Sequence, residues 1–196
     1  MKKQLLAAVL AVTMFATACS TSWITQAQAI LTAVLPVAVN IIQLITALQA
    51  SGTTSATDTA LAQKWANTVQ ADLTTLKTLL DQYNAASVSA KPGVLAEIQT
   101  AIGVAQTDLA TLLPALHITN PQTVAKITAI IGLVAAEIQS VASLVSIAQG
   151  KTSGWRILTA KQPLNAKQFK ASYKTVVKAP SGYAPLDQAT AGLVLN

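Results

Sequence analysis

The chain has 196 residues, of which 52% are hydrophobic and only 10% charged, with a formal net charge of +6. An average soluble domain carries about 25% charged residues, so a charge-rich disordered chain, too polar to support a core, is excluded. The single cysteine excludes a disulfide scaffold and a thiolate metal site, and the single histidine excludes most histidine-based catalytic and metal constellations. Alanine fills 37 positions while aromatics make up 4%, which favours helices over a sandwich or barrel.

Residues 1–19 read MKKQLLAAVLAVTMFATAC. Lys2 and Lys3 form a positive head, Gln4 to Thr17 a short apolar stretch, and small residues follow. This is the pattern of a secretory signal peptide, too short for a confident membrane span. The tetrapeptide Ala16-Thr17-Ala18-Cys19 resembles the lipobox of bacterial lipoprotein precursors, with Ala16 where leucine is usual. The resemblance covers these 19 residues only. It implies that the leader, residues 1–18, is removed and that Cys19 is lipidated and becomes the new N-terminus. It implies a protein exported to the bacterial cell envelope and tied to a membrane through Cys19. Ser20, in place of the aspartate that retains such proteins at an inner membrane, leans the expectation toward the outer membrane. Two readings compete. Ala16-Thr17-Ala18 and Ala27-Gln28-Ala29 also fit an ordinary signal-peptidase site, which would release a soluble protein, and an uncut leader would remain as an N-terminal anchor.

The next segment, 22–50, predicts a helix whose apolar residues include Ile24, Ile30, Leu31, Val34, Ile41, Leu44, Ile45 and Leu48. A thin polar stripe runs through Thr25, Gln28, Thr32, Asn40 and Gln43. No charge occurs from Gln4 to Thr57. A helix this apolar is either central in a bundle or in contact with lipid. Pro36 is expected to kink it by removing a backbone donor and crowding the Thr32 carbonyl. Ser55-Ala56-Thr57-Asp58 reads as a capping box opening a second helix over 56–86, with Leu61, Trp65, Val69, Leu73, Leu76, Leu80 and Tyr83 on one face. Pro92 suits the start of a third helix, 92–117, striped by Leu95, Ile98, Ile102, Ala105, Leu109, Leu112 and Leu116, which Pro114 bends or ends. Asn120 as N-cap and Pro121 in the first turn open a fourth helix. It runs to Gln149 through Ile127, Ile131, Val134, Ile138, Val141 and Val145, and Gly150 closes it. The expected fold is all-α: an up-down-up-down bundle of four long helices over 19–150. Gly103 and Gly132, in mid-helix, are expected to mark a close approach of the third and fourth helices.

Residues 151–196 form a basic tail holding seven of the thirteen basic residues and one acid, Asp187. Asn165 to Lys178 predicts a short helix with Phe169, Tyr173 and Val176 on one side. Lys167, Lys170, Lys174 and Lys178 fall on another. Trp155 to Leu158 reads as a short strand or an apolar strap. The tail is expected to pack on the bundle by its apolar side and to present a basic surface.

Little catalytic chemistry is on offer. His117 reads as a helix C-terminal histidine favoured by the helix dipole, with no nucleophile beside it. Glu97 and Asp108, and likewise Asp72 and Asp81, are too far apart along their helices to share a proton or metal. No P-loop, dinucleotide fingerprint or di-iron Glu-x-x-His is present. No catalytic residue, metal site or cofactor is therefore expected, nor a nucleic-acid partner. The leading expectation is a lipid-anchored envelope protein acting as a structural or interaction module. Arg156, Lys161, Lys167, Lys170, Lys174 and Lys178 would contact an anionic surface, such as an envelope polymer, or another envelope protein. The rivals are a membrane-active or oligomerising protein that inserts helix 22–50, and a carrier holding a small apolar ligand between helices.

Overall fold

The structure, a computed structural model, describes residues 2–149 and 165–195, with side chains from Trp23 onward. The described part is all-helical: α1 (Lys2–Ala50), α2 (Ala56–Ala85), α3 (Lys91–Ala110), α4 (Leu112–Ala115), α5 (Pro121–Ala148), α6 (Ala166–Lys178) and α7 (Ala184–Ala191). Helix α1 packs on α2 and α5, α2 on α3, and α3 on α5, while α6 and α7 lie against α1 and α6 also against α5. The Gly150 cap, the strand or strap at 155–158, Arg156 and Lys161 lie outside the described residues.

Helix α1 begins at Lys2 rather than near residue 22. No glycine or proline interrupts residues 1–35, so nothing in that stretch breaks the helix. Cys19 falls within it. Pro36 sits inside α1 without ending it. Pro36 and Thr32 are both exposed, so the carbonyl left without its backbone donor faces water, where it is solvated. The inward side, from Trp23 through Ile30, Leu31, Ile41 and Ile45 to Leu48, is buried.

Ser55 caps α2 as its sequence predicts. The Ser55 hydroxyl accepts from the Asp58 N–H at 3.1 Å, and the Asp58 carboxylate accepts from the Ser55 N–H at 2.9 Å. The predicted stripe from Trp65 to Tyr83 is buried, and Leu61 is half-buried. At the far end, Tyr83 packs edge-on to Trp23 with ring centres 5.3 Å apart, and the Lys91 ammonium lies 5.1 Å over the Tyr83 ring.

The third helix ends one turn earlier than Pro114 itself. It stops at Ala110, turns at Thr111 and resumes as the four-residue α4 that contains Pro114. The pyrrolidine ring clashes with the carbonyl four residues back, that of Ala110, so the break falls there. Asn120 caps α5 by accepting from the Thr123 N–H at 2.9 Å. The mid-helix glycines do not mark a close approach. Gly103 and Gly132 are both exposed, with open space where a Cβ would stand. They are tolerated on wet faces at some cost in helix propensity.

In the tail, Asn165 closes a capping box with Gln168. The buried stripe of α6 is Phe169, Tyr173 and Val177, with Val176 half-buried. Four-residue steps keep Val177 over Tyr173, whereas Val176 lies 60° off that line. Helix α7 lies beyond the one tail helix that the sequence predicts. Pro185 occupies the first turn of the helix, and Leu186 behind it is fully buried.

Candidate functional site

The lysines that the sequence singles out sit where the capped α6 turns them away from its apolar stripe. Lys167, Lys174 and Lys178 are exposed and Lys170 is half-buried. The structure brings three of the four together. Lys170, Lys174 and Lys178 line a pocket of about 400 Å³ between α6 and the C-terminal segment, with Tyr173, Leu193, Val194 and Leu195 also lining it. Lys167 lies outside this lining.

Two buried polar groups fasten α6 to the helices beneath it. Asn40, in the otherwise apolar α1, donates to the Tyr173 hydroxyl at 2.8 Å and to the Val194 carbonyl at 3.1 Å. Burial pushes the Tyr173 phenol up to about 12, against the hydrogen bond from Asn40, which lowers it. Lys126, buried in α5, donates to the carbonyls of Val176 at 2.9 Å and Ala179 at 2.5 Å. It thus caps the C-terminus of α6, where helix carbonyls lack partners. Burial lowers the Lys126 pKa, opposed by the charge of Asp187.

Asp58 ties a second region together. Its Oδ1 accepts from the His117 N–H at 2.8 Å and lies 3.4 Å from His117 Nδ1. Burial alone would raise the Asp58 pKa, but hydrogen bonds from Ser55 and His117 outweigh it and hold it down at about 2. His117 itself lies in the loop beyond α4, not at the end of a long helix, with its side chain 77% exposed. Here it closes a loop through its backbone.

Two carboxyls depart from ordinary behaviour, burial being the first cause for both. Glu137 in α5 is fully buried, neither of its oxygens has a hydrogen-bond partner, and burial pushes its pKa up to about 7. Asp72 on α2 meets Asp108 on α3, a cross-helix pair that spacing along one helix does not reveal. Burial first, and then the Asp108 carboxyl, push Asp72 up to about 6. Lys126 and Glu137 are the only charged residues of α5, and a lone charge in an apolar helix was the signal available for each. Among the described residues no group of three or more His, Cys, Asp or Glu is placed to hold a metal ion.

Helices Trp23–Ala50 and Pro121–Ala148 are long and apolar enough to cross a membrane, and in the most apolar stretch of each about half of the residues are buried inside the molecule. The chain matches no protein-family model, no curated protein sequence and no solved structure.

Proposed function

We propose that the chain is an exported, lipid-anchored helical protein of the bacterial envelope, an interaction module that rests on an anionic surface through α6. Residues 1–18 are its leader and Cys19 carries the anchor. The body is an up-down-up-down bundle of α1, α2, α3 with α4, and α5. The closed ring of neighbours, α1 on α2, α2 on α3, α3 on α5 and α5 on α1, supports that arrangement. The carrying observation for the surface contact is the basic pocket itself. Three lysines converge around an apolar floor, which suits an anionic headgroup whose charge meets ammonium groups while its apolar neighbour meets Leu193 and Leu195.

Fractionation of cells carrying Cys19→Ser tests the anchor. One acyl chain binds marginally and several hold firmly, so the variant is expected to leave the membrane fraction or to persist as a precursor. Processed protein that stays with membranes at wild-type yield refutes it. Vesicle flotation in the Cys19→Ser background tests the surface contact. Binding to phosphatidylglycerol-containing vesicles is expected to fall with salt, as the Debye length shrinks from about 10 Å at 0.1 M to about 3 Å at 1 M. It is expected to vanish on changing Lys170, Lys174 and Lys178 to glutamine. Equal binding to neutral vesicles, or binding unchanged by the triple substitution, refutes it.

A further inference from the structure

On the far side of the molecule from the lysine-rich tail, α3 runs back along α2. The Trp65 indole N–H donates to the Asp108 carbonyl near one end, and Lys91 stacks on Tyr83 near the other. Between them lies a groove of about 520 Å³. Its chemistry is segregated along its length. Leu79 and Ala101 are half-buried there, and Val104 exposes 46% of its surface, a large apolar side chain left uncovered. Asp72 lines the groove beside Asp108, and one Asp72 oxygen is buried without a hydrogen-bond partner. Glu97 lines it on α3, exposed, seven residues before Val104. Because the helices are antiparallel, Asp72 falls toward the Val104 and Asp108 end and Glu97 toward the Leu79 end. Seven residues of helix make that separation about 10 Å.

The groove therefore places a carboxyl at each end of an apolar trough, and no lysine or arginine lines it. In a chain of formal charge +6, this local excess of acid has no ion-pair partner among the described residues. A ligand complementary to it has an ammonium at each end and methylenes between. A single ammonium satisfies one end only, and a compact divalent cation leaves the apolar walls uncovered. A neutral apolar molecule leaves the carboxyls at both ends of the groove without a counter-charge.

We propose that the groove between α2 and α3 binds an aliphatic diamine or polyamine, one terminal ammonium at Asp72, the other at Glu97, and the methylene chain on Leu79, Ala101 and Val104. The site is independent of the surface contact made by α6.

Isothermal titration calorimetry of the purified full chain in a non-ionic detergent tests this, with spermidine as the probe and n-butylamine and Mg²⁺ as comparators. Spermidine is expected to bind about tenfold or more tightly than n-butylamine, since losing one charge pair of this kind weakens binding by about that factor. Glu97→Gln and Asp72→Asn are each expected to weaken spermidine about tenfold. Asp81→Asn, whose carboxylate accepts from Gln28 on α1, is expected to leave it unchanged. Glu97 is exposed, so its variant folds as the parent does and keeps the test decisive if Asp72→Asn disturbs the fold. No heat with spermidine overturns the proposal. So do n-butylamine or Mg²⁺ binding as tightly, or Asp81→Asn weakening spermidine as much as Glu97→Gln, which would mark unspecific attraction to surface acid.

Discussion

Glu137 is expected to make this protein's stability fall as pH rises from about 4.5 to about 7. The carboxyl is fully buried, has no hydrogen-bond partner, and is raised from 4.5 to about 7 by burial. Helix α1, packed on α5, offers it no ionisable group from residue 23 to 50. A group whose folded pKa exceeds its unfolded value binds its proton more tightly in the native state. Between about 4.5 and 7 the native state holds more protons than the unfolded one, so stability declines as pH rises through that window and levels off above it. At about 1.4 kcal/mol per pH unit, the decline amounts to about 3 kcal/mol. Glu137→Gln removes the titration and keeps the shape. The buried amide itself costs about 1–3 kcal/mol at every pH for want of partners, so the absolute stability is not the readout. Urea unfolding at pH 5 and pH 8 is. The parent is expected to lose about 2.5 kcal/mol more than the variant between the two, part of the decline already lying below pH 5, and Asp72, intact in both, cancels from the difference. Equal pH dependence in parent and variant refutes the reasoning.

Asp58 works in the opposite sense: its pKa is held down at about 2, so its contribution is present above its unfolded value of 3.8 and is lost as pH falls toward 2. Asp58→Ala is expected to cost about 2 kcal/mol in urea unfolding at pH 7, by removing both half of a capping box and the clasp on the His117 loop; a loss under 0.5 kcal/mol on that scale would show that water replaces it freely. Lys126→Met keeps the aliphatic stem and strips the cap from the carbonyls of Val176 and Ala179, and is expected to cost about 1.5–3 kcal/mol, read as faster amide exchange at the C-terminal end of α6. Exchange there at the parent's rate counts against the cap.

The long helices were legible because their cause is local. Apolar residues at three and four, with Ser55 before the first turn of α2 and Asn120 and Pro121 opening α5, give both helices within a residue or two. What escaped depends on partners distant in sequence. Val177 rather than Val176 is buried because α5 and α1 lie on that side of α6, and nothing within residues 165–178 says where they lie. Helix α7 escaped because Pro185 serves equally as a loop breaker and as a first-turn residue, and only Leu186 meeting a core decides between them. The Asp72–Asp108 pair spans two helices, so spacing along either one is silent. The lysine face was visible as a pattern, but its pocket is not, since one wall of it comes from 193–195. Gly103 and Gly132 show the converse error, a packing reason supplied where exposure suffices.

Asn40 is the point on which the tail's position turns. It is a buried amide in a helix whose other inward residues are apolar, and it spends both donor hydrogens on the tail, one on Tyr173 of α6 and one on the Val194 carbonyl. Apolar contacts from Phe169, Tyr173 and Val177 hold α6 against α1 and α5, but such contacts are non-directional and tolerate sliding. The two hydrogen bonds do not, so they set the register of α6 and of the C-terminal segment on α1. Asn40→Leu removes them while keeping volume and adds apolar surface. The Tyr173 hydroxyl is then left buried with no donor to it, at a cost of about 1–3 kcal/mol, against a gain of similar size from the leucine. Global stability is therefore expected to change little, whereas the tail loosens. Amide exchange across α6 and the Leu193–Leu195 segment is expected to accelerate while α2 and α3 keep their protection. Adding Tyr173→Phe removes the stranded hydroxyl and is expected to recover part of the lost stability without restoring the slow exchange of 193–195, because the Val194 carbonyl still lacks its donor. Uniform acceleration across α2, α3 and α6 would mean that Asn40 supports the whole core. Unchanged exchange at 193–195 in the double variant would mean that apolar packing alone fixes the tail.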